Sequence, residues 1–281
     1  MFRCNYRYID MEQMRMTRME KHVFICKDDI ENMLTAVFDA FSYRNKMNTD
    51  DIGIIVSDDG IIEREMFCDY ENVETDINKA LSTVDNIRNR LGEYVYDQSI
   101  KILCHYDTER VYTLFKFLEI CFKKGGNAIY KLKNPYIMRA MELARKTQNE
   151  THLYLGVTRF QETYGILCAT IEPKCNAIPI ITGHFADRYP GENWIIYDKT
   201  RNVMAVHRAL GSVELIKGSP EFLIDSKGFE VGHHDEYVDL WQVFFESIAI
   251  DERYNPKCQN NLLPLWMRKH MTEFTDKRVQ Q

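Results

Sequence analysis

The sequence predicts an α+β protein with a helix-rich N-terminal half, which carries a short β-segment, and a mixed C-terminal domain. Two observations lead to this prediction. Apolar residues recur at helical spacing through most of residues 93–156. Beyond Gly156 the pattern changes to short apolar runs that alternate with polar residues and are separated by turn residues, as in strands. We therefore expect the C-terminal domain to hold a small antiparallel sheet flanked by helices.

The first elements are predicted to be strands and capped helices. HVFICKD predicts a short strand, and the helix after it has Asp28 or Asp29 available as a cap. Two further strand candidates follow in DIGIIVSDDG and IIEREMFCDYENVET. A helix capped at Thr75 is then expected to end at Gly92.

Helices are predicted for the rest of this half. Two of them fall within residues 93–124, with a break near His105–Asp107. A long helix then opens with Asn134 as its cap and Pro135 at its first helical position.

The C-terminal half is predicted to contain short strands and helices. VTRFQETYGILCATIEP predicts a hairpin, IPIITGHFADRY a short helix, and NWIIYD and NVMAVHR two more strands. HDEYVDLWQVFFESIAI predicts an amphipathic helix, and the tail predicts two short helices. We therefore expect a polar N-terminal extension at 1–20, a mostly helical region at 21–152 and a C-terminal domain at 153–281.

Charge is unevenly distributed along the chain. The net charge of the 281 residues is −6, which taken alone argues against a polyanionic partner. Residues 28–76 carry 14 acidic and 3 basic side chains, whereas residues 123–146 carry 7 basic and 1 acidic. Residues 253–281 carry 6 basic and 2 acidic side chains. The two basic stretches are candidate surfaces for a nucleic acid or another polyanion.

Several classes of protein are disfavoured by what the sequence lacks. No apolar run approaches the roughly 20 residues that span a membrane, and residues 1–20 do not resemble a signal peptide, so we expect a cytoplasmic protein. The 8 cysteines form no C-x-x-C pair. Motifs typical of P-loop, dinucleotide, zinc-protease and serine-hydrolase sites are absent. We therefore expect reduced cysteines, no bound metal and no cofactor.

One short stretch, ITGHFADRYPGENWIIYD, concentrates side chains that could form a site. His184 and Arg188 are four residues apart on a predicted helix and so share a face. Asp198 ends the next predicted strand, and Arg201 follows it. Two arginines near an imidazole suit a phosphate or carboxylate, because guanidinium groups bind such anions in a bidentate manner. The alternative is that Arg188 or Arg201 pairs with Asp198 to hold a corner of the fold, while His184 caps a backbone group.

The tail contains a second group of candidate residues. Arg253, Asn255 and Gln259 are residue types that contact nucleic acid, and they lie in a basic region. The same residue types also cap helix ends and lock turns, so both interpretations stay open. Trp241 and Trp266 are expected in the core.

The candidate residues belong to an ordered series of motifs: R-F, H-F-x-x-R, W-x-I-x-D and I-x-x-R-x-N-P, with further Arg, Gln, Pro and Trp positions. The series falls on Arg159, Phe160, His184, Phe185, Arg188, Trp194, Ile196, Asp198, Arg201, Leu240, Trp241, Phe244, Phe245, Ile250, Arg253, Asn255, Pro256, Gln259, Pro264 and Trp266. It resembles the domain of unknown function 4130, which forms the C-terminal part of bacterial proteins described as probable DNA metabolism proteins. The resemblance is strongest over residues 155–274.

The resemblance implies work on DNA. Members of the family are encoded beside a radical-SAM protein that resembles spore photoproduct lyase, which implies that protein as a partner, and a related domain is fused to uracil-DNA glycosylase-like domains. This chain lacks the cysteine cluster of a radical-SAM enzyme. The resemblance marks candidate nucleic-acid or phosphate contacts at Arg159, Arg188, Arg201, Arg253, Asn255 and Gln259, and candidate catalytic residues at His184 and Asp198.

Three functions follow as expectations. The first is an accessory protein of DNA repair or DNA metabolism that binds DNA, a damaged nucleotide or the repair enzyme, with Arg188, Arg201 and Arg253 on phosphates and residues 123–146 adding nonspecific attraction. The second is a hydrolase of nucleic acid or nucleotide with His184 as general acid or base. The third is a protein-interaction partner that uses the acidic residues 28–76 and contacts no nucleic acid.

Overall fold

A computed structural model describes residues 21–58, 62–163, 165–220, 236–248, 250 and 254–274. The predicted extension at 1–20 and the candidate Arg253 lie outside the described residues. The chain divides into two compact units between Arg145 and Lys146. This division and the predicted boundary at 152–153 both fall within one helix, Pro135–Val157.

The first unit is a parallel sheet packed against helices, and a 3-10 helix, Gly126–Tyr130, connects its last two helices. Its strands and helices in chain order are β1 (Lys21–Cys26), α1 (Ile30–Met47), β2 (Ile52–Val56), β3 (Cys68–Asn72), α2 (Ile77–Leu91), α3 (Glu93–Leu103), α4 (Arg110–Lys124) and the start of α5 (Pro135–Val157).

The sheet of this unit has the order β2-β1-β3, and β1 pairs in parallel with both neighbours. Parallel neighbours need a crossover connection, and α1 provides it between β1 and β2. The central strand is buried from His22 to Cys26. Helix α4 contributes much of the core, since Leu114, Phe115 and Phe117 are all fully buried in it.

A buried asparagine joins the loops at the carboxyl ends of β1 and β3. Asn32 is 1% exposed, and its Nδ2 donates to the carbonyl oxygen of Val73 at 3.0 Å and to Oγ1 of Thr75 at 2.8 Å. Its Oδ1 accepts the backbone N–H of Lys27 at 2.8 Å. Because the Thr75 hydroxyl is engaged by Asn32, the predicted cap at Thr75 is wrong. The cap of α2 is Asp76, whose carboxylate accepts two N–H groups of the first turn.

Other predicted boundaries in this unit are confirmed. Helices α3 and α4 are separated at residues 104–109, around the predicted break. Oδ1 of Asn134 accepts the N–H groups of Tyr136 at 3.0 Å and Ile137 at 3.3 Å, as expected of the cap of α5. Asp29 occupies the N-cap position of α1, although its side chain makes no capping hydrogen bond.

The second unit contains a five-stranded sheet with helices. After the end of α5, its strands and helices are β4 (Gln161–Thr163), β5 (Ile166–Ile171), α6 (Ile178–Arg188), β6 (Trp194–Asp198), β7 (Val203–His207), β8 (Val213–Lys217), α7 (Glu236–Ser247) and α8 (Pro256–Leu262). Two 3-10 helices follow, Leu265–His270 and Thr272–Phe274.

The predicted α+β class is confirmed, but the second sheet is mixed rather than antiparallel. Its order is β4-β5-β6-β7-β8, and β5 pairs in parallel with β6 while the other neighbours are antiparallel. The reason is α6, which carries the chain back along the sheet so that β6 runs in the direction of β5. Strand β8 was not predicted, and among the described helices none is long and apolar enough to cross a membrane.

Side chains alternate across the second sheet as its sequence predicts. Trp194 and Ile196, both fully buried, pack with Phe185 of α6 on one face, and Ile195 packs with Tyr197 on the other.

The prediction that Trp241 and Trp266 are core residues is wrong. Trp241 is 38% exposed and Trp266 is 41% exposed. Aromatic side chains this exposed are available to a binding partner.

We expect Asn32→Ala to lower the free energy of unfolding of the first unit by about 2–3 kcal/mol. The substitution leaves the N–H of Lys27 and the buried carbonyl of Val73 without their partner. Urea denaturation followed by circular dichroism measures the change. Asn45→Ala, at an exposed position of the same helix, is the matched control and should change stability by no more than about 0.5 kcal/mol. Equal effects of the two substitutions would contradict this role of Asn32.

Candidate functional site

The four candidate residues of the 181–201 stretch do not form a single cluster. Arg188 is the last residue of α6, which runs back from the carboxyl end of β5, whereas Asp198 is the last residue of β6. Because β5 and β6 are parallel, Arg188 and Asp198 lie toward opposite ends of the sheet. His184 is exposed on α6 with its ring edge-on to Phe185 at 5.3 Å between centroids. Arg188 is also exposed, and its Nε donates to the hydroxyl of Tyr189 at 3.1 Å.

Asp198 and Arg201 hold a corner of the fold together. Asp198 is 0% exposed, and its Oδ1 accepts the N–H groups of Thr200 at 2.9 Å and Arg201 at 3.2 Å. Nη1 of Arg201 donates to Oδ2 of Asp198 and to the carbonyl of Pro173, both at 3.2 Å, and Nη2 donates to the carbonyl of Lys174. Burial raises the pKa of Asp198, and Arg201 opposes that rise. Much of the hydrogen-bonding capacity of Arg201 is therefore used inside the unit.

Arg159 is also engaged internally. Its Nη2 donates to Oε1 of Glu273 at 2.7 Å and its Nε donates to Oε2 at 3.2 Å, and the guanidinium group lies 5.5 Å from the ring centroid of Trp241. The Glu273 side chain is 2% exposed. Burial acts to raise the pKa of Glu273, but the hydrogen bonding and charge of Arg159, together with hydrogen bonds from the backbone and Trp241, lower it overall. Arg159 therefore keeps a buried carboxylate ionised.

The candidates of the tail differ in their roles. Oδ1 of Asn255 accepts the N–H of Cys258 at 3.0 Å and caps α8, so this side chain has the structural role that was left open. Gln259 lies exposed on α8.

A different group of charged residues converges at the carboxyl ends of the parallel strands. Glu172 follows β5 directly and Lys199 follows β6, while Lys269 and His270 end the Leu265–His270 turn. Nζ of Lys269 donates to both carboxylate oxygens of Glu172, at 2.8 and 2.7 Å. Nε2 of His270 lies 3.0 Å from Oε1 of Glu172, and Nζ of Lys199 lies 3.6 Å from the same oxygen. We call these four residues the Glu172 cluster.

The Glu172 cluster borders a small cleft with an exposed indole. The cleft is lined by Tyr154, Val157, Thr158, Thr170, Ile171, Glu172, Trp266, Met267 and His270. Nζ of Lys174 lies 5.3 Å from the ring centroid of Trp266. The carboxylate of Glu150 accepts the N–H groups of Lys174 at 2.7 Å and Cys175 at 3.1 Å, which fixes the loop that carries Glu172. Cations and an aromatic face therefore meet at one edge of the sheet.

The electrostatics of the cluster favour an ionised Glu172. Burial acts to raise the pKa of Glu172, but the hydrogen bonds and charges of Lys269 and His270 together lower it. Burial lowers the pKa of His270, against the opposing effect of Glu172. The side chains of Lys199 and Lys269 are 57% and 56% exposed, so their ammonium groups are accessible from solvent. One carboxylate thus holds two lysines whose charges remain available to an anion.

The sequence contained a signal for this cluster that was not used. Glu172 lies at the end of the predicted hairpin and Lys199 directly follows the next predicted strand, with a predicted helix between them. A strand–helix–strand order favours parallel pairing, which brings the carboxyl ends of two strands together, where ligands bind in α/β sheets. Because the sequence predicted an antiparallel sheet, Glu172 and Lys199 were not expected to be neighbours. Within the described part of the chain, no group of three or more His, Cys, Asp or Glu side chains is placed to hold a metal ion.

Comparison with protein families identifies a match for this chain. The model of the family DUF4130, a domain of unknown function, matches residues 108–273, which is more than half of the chain. The matched range contains the whole Glu172 cluster. No curated protein matches the chain.

We expect Arg159→Ala to lower the free energy of unfolding of the second unit by about 3 kcal/mol, because it leaves the buried Glu273 carboxylate without its cation. Thermal and urea denaturation measure the change. Arg188→Ala, at an exposed position, is the matched control and should cost less than about 0.5 kcal/mol. The wild-type advantage over Arg159→Ala is present at neutral pH and should shrink as the pH falls below 4.5 through the lowered pKa of Glu273, which then becomes protonated. A pH-independent difference would contradict the ion pair as its source.

Proposed function

The chain belongs to the family of the domain of unknown function DUF4130, as its motifs indicated, and from that premise we propose that it is an accessory protein of DNA metabolism that binds nucleic acid. One observation carries the proposal: the exposed ammonium groups of Lys199 and Lys269 converge beside the exposed Trp266 at the carboxyl ends of β5 and β6. Lysines neutralise phosphates, and an exposed indole offers a face on which a base stacks.

The proposed contacts differ from those expected from the sequence. Arg201 and Arg159 act indirectly here, because the first holds the loop that carries Glu172 and the second keeps Glu273 paired. Lys199, Lys269 and Lys174 take the phosphate-contacting role, and Arg188 remains an exposed cation elsewhere on the unit. The proposed ligand is still nucleic acid, as the sequence predicted, but these lysines contact it in place of the predicted arginines.

We propose in addition that a radical-SAM DNA repair or modification enzyme is the partner of this protein. The support for this part is the resemblance of its motifs to proteins encoded beside such an enzyme. The acidic residues 28–76 could face a basic surface of that partner, although several of their carboxylates already have cationic neighbours within the first unit. Examples are Asp28 with Arg110 at 2.6 Å and Asp39 with Lys79 at 2.7 Å.

A hydrolase is the second candidate, and the contact between His270 and Glu172 favours it. Since burial lowers the pKa of His270, its imidazole is neutral at pH 7 and able to accept a proton. On this view His270 replaces His184 as the general base. Turnover of nucleotides or oligonucleotides that disappears in His270→Ala and persists in His184→Ala would support this candidate, and no turnover by the wild type would reject it.

We expect Lys199→Ala/Lys269→Ala to weaken binding of a labelled DNA duplex by about tenfold or more and to reduce the slope of log affinity against log salt by about 2, since each lysine neutralises one phosphate. Fluorescence anisotropy across a salt series measures both quantities. The charge-matched control is Arg188→Ala/Arg208→Ala, which removes two exposed cations outside the cluster. If only the arginine variant lost DNA affinity, the contact surface would lie at these arginines and not at the Glu172 cluster. If the wild type did not bind DNA even at low salt, the proposal would be wrong.

We expect Glu172→Gln to strengthen DNA binding by about fivefold, because it removes a carboxylate that competes with a phosphate for both lysines. The same anisotropy titration measures the change. Glu214→Gln, at an exposed position of β8, makes the same chemical change away from the cluster and should have less effect. Weaker binding by Glu172→Gln, with its melting temperature unchanged, would show that phosphate does not take the place of this carboxylate.

A further inference from the structure

The first unit carries an exposed pair of tyrosines that the proposed site does not use. Tyr94 lies at the start of α3 and Tyr130 at the end of the Gly126–Tyr130 turn. Their rings are nearly parallel, with 12° between the planes and 6.4 Å between the centroids. Tyr94 is 51% exposed and Tyr130 is 71% exposed, so a large part of each ring faces solvent.

Backbone packing places the two rings side by side. Gly125 has a φ of 82°, a left-handed conformation that favours glycine and ends α4. At the next position, a Cβ on Gly126 would clash with the carbonyl oxygen of Leu91, so only glycine permits this approach to the end of α2. Tyr94 is three residues beyond Leu91, and Tyr130 is four residues beyond Gly126. The close approach of Gly126 to Leu91 therefore brings the two tyrosine rings together.

Exposed lysines lie close to Tyr130 in the sequence. Lys124, Lys131 and Lys133 are all exposed and lie within the stretch 123–146, in which 7 basic residues face 1 acidic residue. Lys123 donates to Glu119 at 2.8 Å, and the exposed Glu93 beside Tyr94 pairs with Arg88 at 3.1 Å. The chain on either side of Tyr130 therefore presents three exposed lysines.

We propose that Tyr94 and Tyr130, with Lys124, Lys131 and Lys133, form a binding surface for single-stranded nucleic acid. Exposed aromatic rings among lysines are the groups that single-strand binding proteins use, because bases stack on the rings while cations follow the phosphates. Bases in a duplex are already stacked on one another, so the rings add affinity only for an unpaired strand. This inference rests on the proposed binding of nucleic acid and adds a preference for unpaired strands, through a surface on the other unit.

The test compares Tyr94→Leu/Tyr130→Leu with the wild-type chain, using labelled oligothymidine and a hairpin duplex in anisotropy titrations. Leucine keeps an apolar side chain and removes the flat ring. Affinity for oligothymidine should fall by about tenfold to a hundredfold with the salt slope unchanged, because stacking releases no counterions. Affinity for the duplex should change by less than about twofold. Tyr106→Leu, at a position that is 54% exposed in the same unit, is the matched control.

The outcomes separate this inference from the proposed function. Loss of oligothymidine binding in the tyrosine variant but not in Tyr106→Leu supports it, and a lower salt slope in Lys131→Ala/Lys133→Ala supports the cationic part. If the wild type binds both probes and the tyrosine variant matches it, this inference fails while the proposed function stands. If the wild type binds neither probe, both fail. If the tyrosine variant instead loses binding to phosphatidylserine vesicles and keeps oligothymidine, the surface is a membrane contact and the inference is overturned.

Discussion

The parallel pairing of β5 with β6 is the constraint on which the second unit depends. A helix between two parallel strands returns the chain to the starting edge, so both strands end at the same edge. Glu172 and Lys199, which are 27 positions apart in the sequence, are each the first residue after their strand and thus become neighbours. Buried Trp194 and Ile196 anchor β6 against Phe185 of the connecting helix, which keeps this edge in place.

Charge pairing then decides which cations remain available. Arg159 and Arg201 are each paired with a buried carboxylate, so their guanidinium groups stabilise the fold. A buried carboxylate without its cation is costly, which makes these pairs hard to exchange for an external anion. Glu172 is more exposed and shares its charge among Lys199, Lys269 and His270. Under the proposed function, the cluster is therefore a better place for an incoming phosphate than Arg159 and Arg201.

In the first unit, a neutral side chain lies at the carboxyl ends of two parallel strands. The carboxyl ends of β1 and β3 meet in the same manner, but Asn32 fills the space between their loops with three hydrogen bonds to described residues. The edge that could have been a binding crevice is closed by a structural asparagine. A surface of this unit that is open to a partner lies elsewhere, at Tyr94 on α3 and at the exposed Tyr130 and lysines between α4 and α5.

The sequence by itself determined the α+β class, most element boundaries from Ile30 to Asp198 within a few residues, and the membership of a family of unknown function. The start of β3 is an exception, since the prediction began at Ile61 and the strand begins at Cys68. These follow from apolar spacing, caps such as Asn134 and ordered motifs, all of which act over short distances along the chain. Only the tertiary structure decided that β5 and β6 are parallel, that Arg201 binds Asp198, and that Glu172 meets Lys269 and His270. The physical reason is that strand direction and ion pairing depend on groups that are far apart in the sequence. Local sequence patterns therefore do not indicate which carboxylate a given arginine will pair with.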